Sequence, residues 1–297
     1  MIKPKTIINM KKTLLTAIAS AFIFFGAEAQ ISTPIPSPEG SVSSTVGLTD
    51  VTIDYYRPKM KGRQIFGSGD QYLEQYGSIW RTGANSGSKL TLSTDAKIAG
   101  TDVKAGEYLI FTIPGENEWS FMLYSDLSIG GNVSAYDTEK EVLRTTVKAS
   151  KLGRKIETLT FMISDISEDN TSANIEMMWS DVSIKVPMTV DFDAQVMNEI
   201  AAKTKVNPAN YVQAANYYYS TGKDLNKALE WMNMYLANEN TKGQFWNIHL
   251  KAQILAKLGK KKEAIETAKK SIEIAKANEG GDFGYVKRNE DLIASLK

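Results

Sequence analysis

The sequence contains no cysteine and a single histidine, His249. The absence of cysteine excludes disulfide bonds, thiolate metal sites, a cysteine nucleophile and a lipid-anchored cysteine. One histidine excludes mechanisms that need two imidazoles, and a lone helical histidine is more typical of packing or surface than of a ligand or base. The phosphate-binding loop, the dinucleotide glycine fingerprint, HExxH and G-x-S-x-G are missing as well. We therefore expect neither a cofactor nor a metal.

The sequence has few long hydrophobic runs. The longest that matters here follows a basic N-terminal segment. Lysines precede an apolar run over residues 14–25, and Ala27-Glu28-Ala29 supplies the small residues that a signal peptidase reads. This run is too short for a ~30 Å hydrocarbon core, which takes about twenty residues. Residues 1–29 are predicted to be a signal peptide, with Gln30 as the first mature residue and translation from Met1 or Met10. We expect export to the periplasm, with secretion as the alternative, and no membrane span after signal removal.

Charge differs between the two parts of the chain. The 297 residues, 42% hydrophobic and 23% charged, fit a globular protein of about two domains. Residues 30–204 carry 16 Lys/Arg and 23 Asp/Glu, whereas residues 205–297 carry 15 and 10. The first part is acidic and the second mildly basic, and neither has the concentrated basic stripe of a nucleic-acid interface. We expect no nucleic-acid partner.

Residues 30–190 follow the pattern of β-strands. After a proline-rich lead-in, residues rich in Val, Ile, Thr, Tyr and Phe alternate with polar ones. The predicted strands are 49–55, 89–94, 107–113, 119–124, 142–149, 156–163 and 173–190. Short turn signals join them, and no long amphipathic helix intervenes before Phe192, which disfavours a parallel βαβ sheet. The prediction is an antiparallel, jelly-roll-like β-sandwich over residues 30–190.

From Phe192 onward the apolar period changes to that of α-helices. We predict a bridging helix and linker over residues 191–207 and helical hairpins over 208–297. Ala228 and Ala264 stand 36 residues apart where helices would cross. This spacing resembles the tetratricopeptide repeat, whose helix pairs need a small residue at their closest approach. The resemblance covers residues 208–277 and implies a surface that docks a protein partner; an ordinary helical appendage is the alternative.

Two segments of the β region combine cations with an aromatic side chain, YRPKMKGRQIFG (56–67) and WRTGAN (80–85). Arginine presents a planar fork to carboxylate, phosphate or sulfate, tryptophan offers a flat face to a sugar ring, and asparagine both donates and accepts. The predicted ligand-binding residues are Arg57, Lys59, Arg63, Trp80, Arg81 and Asn85. They favour a small anionic or carbohydrate ligand. The alternative is that Trp80 belongs to the core and that the arginines pair with the surplus carboxylates.

The same two strings also carry a family resemblance. Together with AGEYLIFTIPGENEW (105–119), they resemble an exported bacterial family catalogued as a domain of unknown function. The resemblance spans roughly residues 35–185, and a helical, repeat-like tail is familiar in such proteins. It brings no assigned activity and implies that the motif marks either a fold requirement or a site. The motif residues are Arg57, Pro58, Lys59, Gly62, Arg63, Trp80, Arg81, Gly83 and Asn85.

Three functions from different classes fit these features. The first is a non-catalytic exported binding protein, with a ligand in the β region and a protein partner on the helical repeats. The second is a carboxylate-dependent hydrolase acting on glycans, which needs two Asp/Glu side chains about 5–9.5 Å apart. Its candidates are Asp54, Glu107, Glu116 and Glu118. The third is a structural envelope assembly factor that recruits a partner through the repeats. The lack of a nucleophile motif favours the first.

Overall fold

The computed structural model of the protein describes residues 33–204 and 207–297. The predicted signal peptide (1–29) lies outside the described residues. The chain divides into two compact units between Val190 and Asp191, named here the β unit (33–190) and the helical unit (191–297). An antiparallel sheet followed by α-helices confirms the predicted fold class. Within the described ranges, no helix has the length and apolar character that a membrane span requires.

The β unit contains eleven strands in its described residues. They are β1 (Glu39–Val46), β2 (Thr49–Tyr56), β3 (Gln64–Gly67), β4 (Tyr72–Gln75), β5 (Ser88–Leu92), β6 (Ala96–Ile98), β7 (Thr101–Val103), β8 (Gly106–Ile113), β9 (Glu118–Tyr124), β10 (Glu141–Ser164) and β11 (Ser172–Thr189). The alternation that predicted them has the expected cause. In β2, Val51, Ile53 and Tyr55 are buried, and the residues between them face outward or lie half-buried.

Nine strands form one hydrogen-bonded antiparallel sheet in the order β1-β2-β5-β8-β9-β10-β11-β6-β7. The segments predicted as strands 142–149 and 156–163 are one continuous strand, β10. Its first part pairs with β9 and its remainder pairs with β11, with register shifts on either side of Ile156. Such irregularities bend a strand without ending it. The bend therefore replaces the loop that the sequence pattern had placed there.

The chain beyond β2 returns to the second half of β10. Lys59 forms an antiparallel bridge with Thr158, and the Leu159 N–H donates to the carbonyl of Pro58 at 2.9 Å. Since β2 also belongs to the sheet that leads to β10, these bonds curl the sheet around a core. The short strands β3 and β4, which the sequence did not predict, pair in parallel as a separate two-stranded sheet.

The helical unit contains six α-helices in its described residues. They are α1 (Asp193–Lys203), α2 (Tyr211–Thr221), α3 (Leu225–Leu236), α4 (Phe245–Lys257), α5 (Lys261–Lys276) and α6 (Tyr285–Ser295). Helices α2 and α3 pack together, α4 and α5 pack together, and α6 lies against both α4 and α5. Ala228 and Ala264 are fully buried, as small residues between closely packed helices should be. Gly222 ends α2 with a φ of 70°, the left-handed conformation that glycine adopts most readily.

Candidate ligand site in the β unit

The loop after β2 is a tight turn held by one arginine. Lys61 and Gly62 have φ angles of 49° and 74°. Arg63 donates from Nε to the carbonyl of Met60 at 3.0 Å and from Nη2 to the carbonyl of Lys59 at 2.7 Å. A guanidinium has further N–H groups beyond these. The turn therefore fixes the direction of Arg63 and leaves donors for a ligand.

Arg63 lines a cavity of about 670 Å³. The turn, β3, β4, the middle of β10 and part of β11 supply its walls. Its charged and aromatic lining includes Arg63, Tyr72, Lys151, Lys155, Glu157 and Asp181. The volume falls in the range of small-molecule sites, about 300–1,000 Å³.

The charges around this cavity leave an excess of cations. Lys151 pairs with Asp181 at 3.2 Å. Partial burial acts to raise the pKa of Asp181, but the bond from Lys151 and a backbone hydrogen bond bring it below its ordinary value. Glu157 accepts a backbone N–H from the turn at 3.0 Å, and Lys155 has no ion pair within the described residues. The cavity lining therefore carries three cations, Arg63, Lys151 and Lys155, against the two carboxylates of Glu157 and Asp181, which suits an anionic group.

Tyr72 and Phe66 are the aromatic residues of the cavity wall. A Cβ added to Gly67 would lie 2.3 Å from the Tyr72 ring, so only glycine leaves room for the ring at the end of β3. In the parallel pairing of β3 with β4, Tyr72 lies opposite Gln64 and Gly67 lies opposite Gln75, so the Tyr72 ring reaches along β3 to Gly67. An aromatic ring of this kind can stack against the face of a sugar.

Trp80, the aromatic residue that the sequence analysis selected, lies in the core. It is 4% exposed and stacks on Trp179 with ring centroids 5.7 Å apart. Phe66 and Trp119 surround it edge-on, and its Nε1 donates to the carbonyl of Gly83 at 3.2 Å. The structure therefore assigns Trp80 to packing, as the alternative interpretation held.

Arg81 and Asn85 hold a strained loop together. Arg81 donates from Nη1 to the backbone carbonyl of Asn85 at 2.8 Å. Thr82, a fully buried β-branched residue, has a φ of 50°, which costs free energy and persists only where neighbouring bonds enforce it. Its hydroxyl lies 3.0 Å from that of Thr112, and its carbonyl accepts from Ser88 at 2.5 Å. WRTGAN is thus a loop whose conformation is fixed internally.

The other two predicted site residues join β2 to β10. Arg57 donates from Nε to the carbonyl of Leu159 at 3.4 Å and lies 6.0 Å from the centre of the Tyr55 ring. Lys59 contributes the bridge to Thr158. Of the six predicted residues, Arg63 lines the cavity; Arg57, Lys59, Trp80, Arg81 and Asn85 do not.

Sequence reasoning missed Tyr72 and Lys155, which line the cavity, and Glu74, which does not line it but has a shifted pKa. Burial raises the pKa of Glu74 to about 7, against the opposing effect of the positive charges of Arg81 and Arg63. Glu74 stands in the four-residue strand β4, too short to show a period. The run of cations from Lys151 to Lys155 was the one available signal for Lys155, and a charge run is ordinarily surface.

The carboxylates proposed for hydrolysis lie elsewhere. Asp54 on β2 and Glu107 on β8 flank Lys89, which stands on the strand between them, β5. The Lys89 Nζ is 4.0 Å from Asp54 and 2.6 Å from Glu107. Glu116 and Glu118 are exposed at the β8–β9 turn. None of the four lines the cavity.

A family model matches residues 37–188, which include the turn, the cavity and both motif strings. The chain belongs to this family, described as a protein of unknown function (DUF2911). That membership confirms the family resemblance found in the sequence. No curated protein and no solved structure matches the chain. DUF2911 carries no stated activity, so a function has to be argued from the cavity itself.

Proposed function

We propose that the protein is an exported binding protein whose β unit holds a small anionic ligand, such as an acidic sugar, and whose helical unit docks a protein partner. The observation that carries the first part is the cavity lined by Arg63, Lys155 and Tyr72. In this cavity Arg63 and Lys155 would bind the anionic group of the ligand, and the Tyr72 ring would stack on the face of its sugar ring. Arg63 is already oriented by two carbonyls, so binding costs little side-chain entropy.

The cavity favours binding over glycan hydrolysis. Hydrolysis by carboxylates needs one that stays protonated near neutral pH beside a second one. Asp181 is held ionised by Lys151, and Glu157 is exposed and bonded to the turn. Glu74, whose pKa is raised, does not line the cavity. These carboxylates suit the recognition of ligand hydroxyls.

The helical unit supports the docking role. Its paired helices α2/α3 and α4/α5 repeat one arrangement, with alanines buried between them at a spacing close to that of tetratricopeptide repeats. Repeats of this kind form extended concave surfaces. Export rests on the basic start and apolar run before residue 30.

The ligand site is tested by native mass spectrometry of the mature protein (30–297) taken from its own periplasm. Wild type should retain a small acidic molecule. In calorimetry it should bind glucuronate, used as a probe, more tightly than glucose, because only glucuronate has a carboxylate for Arg63 and Lys155.

The matched variants are Lys155→Met and Lys148→Met, two exposed lysines of β10 of which only Lys155 lines the cavity. Lys155→Met should weaken glucuronate binding roughly tenfold, the loss of one charge-assisted hydrogen bond of about 1.5 kcal/mol. Lys148→Met should leave it unchanged. Equal binding of glucose and glucuronate, or equal loss in both variants, would rule the site out.

A further inference from the structure

The helical unit contains a second cavity, of about 710 Å³. Helices α2, α4 and α6 line it. Its polar and aromatic walls include Gln213, Asn216, Trp246, His249, Gln253 and Arg288. The only histidine of the chain thus lies in the wall of this cavity, although it is just 7% exposed.

Hydrogen bonds fix the tautomer of His249. Asn289, fully buried, donates from Nδ2 to the carbonyl of Tyr285 at 2.7 Å and to Ser271 Oγ at 2.9 Å. Ser271 in turn donates to the carbonyl of Phe245 at 2.8 Å. Backbone carbonyls can only accept, so Asn289 Oδ1 must face His249 Nδ1, 2.8 Å away. His249 therefore carries its proton on Nδ1 and donates it to Asn289.

The opposite nitrogen of His249, Nε2, is an acceptor without a partner in the part of the chain that the structure describes. Burial lowers the pKa of His249, and the positive charge of Arg288 acts in the same direction, so the ring is neutral at neutral pH. Nε2 then has a free lone pair and no hydrogen bond within the described residues. It is not enclosed, because among those residues Trp119 Nε1 is the single buried side-chain atom without a partner. Nε2 therefore keeps some exposed surface, and since His249 lines the cavity, this nitrogen can accept a hydrogen bond from a molecule bound there.

The surrounding groups indicate what kind of molecule supplies that donor. Arg288 stacks on Tyr285, 4.9 Å from its ring centre, and forms no ion pair within the described residues. Asp291, which also lines the cavity, is paired with Lys287. The side-chain amides of Gln213, Asn216 and Gln253 each offer a donor and an acceptor, the same pair that a peptide unit needs. Residues 205–297 carry a net charge of +5.

We propose that this cavity binds an acidic peptide segment, with a ligand N–H donating to His249 Nε2 and a ligand carboxylate bound by Arg288. The proposal rests on the docking role of the helical unit and narrows it to a site and a ligand chemistry. Trp246, 43% exposed at the rim, would cover an apolar side chain of the peptide. A neutral or basic segment would leave Arg288 without a counter-charge.

The single histidine makes the site directly observable. The mature protein (30–297) labelled with ¹⁵N-histidine should give one imidazole signal set in a long-range ¹H–¹⁵N correlation spectrum. We expect the Nδ1–H tautomer in the free protein. A proton on Nε2 at neutral pH would overturn the proposal before any ligand is added, and this measurement needs no substitution.

The probes are two pools of synthetic octapeptides that differ only at two fixed positions, Asp in one pool and Lys in the other, each made as free acid and as C-terminal amide. The Asp pool should shift the His249 Nε2 signal saturably, and the Lys pool should not. Binding by the amidated Asp pool indicates a side-chain carboxylate, whereas binding by the free acid alone indicates a chain terminus; both support the site. If the His249 Nε2 signal does not shift with the Asp pool at millimolar concentration, or shifts equally with the Asp and Lys pools, the proposal is refuted.

Two variants separate the site from general electrostatics. Arg288→Gln should weaken binding of the Asp pool by at least about tenfold, as expected for a lost charged hydrogen bond. Lys276→Gln removes the same charge from an exposed position of α5 outside the cavity and should change binding less than about twofold; equal losses contradict the proposal. A pull-down with the mature protein separates this proposal from the docking role. If a protein partner is captured while the His249 signal does not shift with the peptides, the docking role stands and this site is wrong. If no partner is captured and the His249 signal does not shift, both the docking role and this site are wrong.

Discussion

Glu74 provides the sharpest test of the energetics of the β unit. Burial raises its pKa from an ordinary 4.5 to about 7, although Arg81 and Arg63 act to lower it. In the unfolded chain the carboxyl loses its proton near 4.5, whereas in the folded protein it keeps it until about 7. Between these values the folded state binds more protons than the unfolded state. The stability must therefore fall as the pH rises through this window.

The size of the effect follows from the same two values. At about 1.36 kcal/mol per pH unit, the interval from 4.5 to about 7 corresponds to about 3 kcal/mol. Glu74 is half-buried rather than enclosed, so solvent screening reduces the expected value to about 2–3 kcal/mol. Glu74→Gln imitates the protonated side chain at every pH. The variant should match wild type below pH 4.5 and exceed its free energy of unfolding by about 2–3 kcal/mol above pH 7.

The assay is urea unfolding of the mature protein at several pH values between 4 and 8, followed by tryptophan fluorescence. The helical unit is identical in both proteins, so the difference between their unfolding curves reports the β unit. Glu118→Gln, at an exposed position of β9, removes the same charge outside the site of Glu74 and is the matched control. A Glu74→Gln difference that stays constant, or that favours wild type at high pH, would refute the reasoning.

Two further predictions concern the motif strings. Trp80→Ala should lower the free energy of unfolding by roughly 3–5 kcal/mol, the usual cost of emptying an aromatic core site, as measured by urea unfolding; ligand loss at unchanged stability would contradict the core assignment. Gly131→Ala should cost roughly 1–3 kcal/mol, because its Cβ would lie 2.6 Å from Arg81 Cδ and 2.7 Å from the carbonyl oxygen of Asn85. Gly153→Ala, with nothing within 4 Å of the added carbon, is its control and should change stability by less than about 0.5 kcal/mol.

The periodic parts of the fold were predictable because burial imposes the period. Val51, Ile53 and Tyr55 in β2, and the alanines of α3 and α5, face their cores as the pattern requires. The continuity of β10 was not predictable, because Gly153 and its polar neighbours are typical of a turn. The pairing with β11 shifts register across them and resumes at Ile156, so the strand continues. The strands β3 and β4 were too short to show alternation.

The candidate sites were harder to predict than the fold. They depend on which polar side chains already have hydrogen-bond or ion-pair partners within the protein and which are left to bind a ligand. Arg63 and Arg81 are both arginines in loop strings, but Arg63 lines a cavity and Arg81 closes its own loop onto Asn85. His249 is unremarkable in the sequence, and its open nitrogen follows only from the bonds of Asn289, 40 residues away. Composition and residue spacing do not show these hydrogen-bond partners, because the fold alone brings them together.

The two motif strings lie within the range of the family match, and the fold explains the residue types of one of them more fully than those of the other. In WRTGAN, the tryptophan is core, the threonine is buried at a positive φ, and the arginine and asparagine bond to each other. Packing and backbone geometry alone account for these residue types. In the first string, the turn needs Gly62 and a donor at Arg63, but neither need explains why the guanidinium lines a cavity with Lys155 and Tyr72. The ligand should therefore be sought where Arg63 meets residues outside both strings, and substitutions there should change binding without changing the fold.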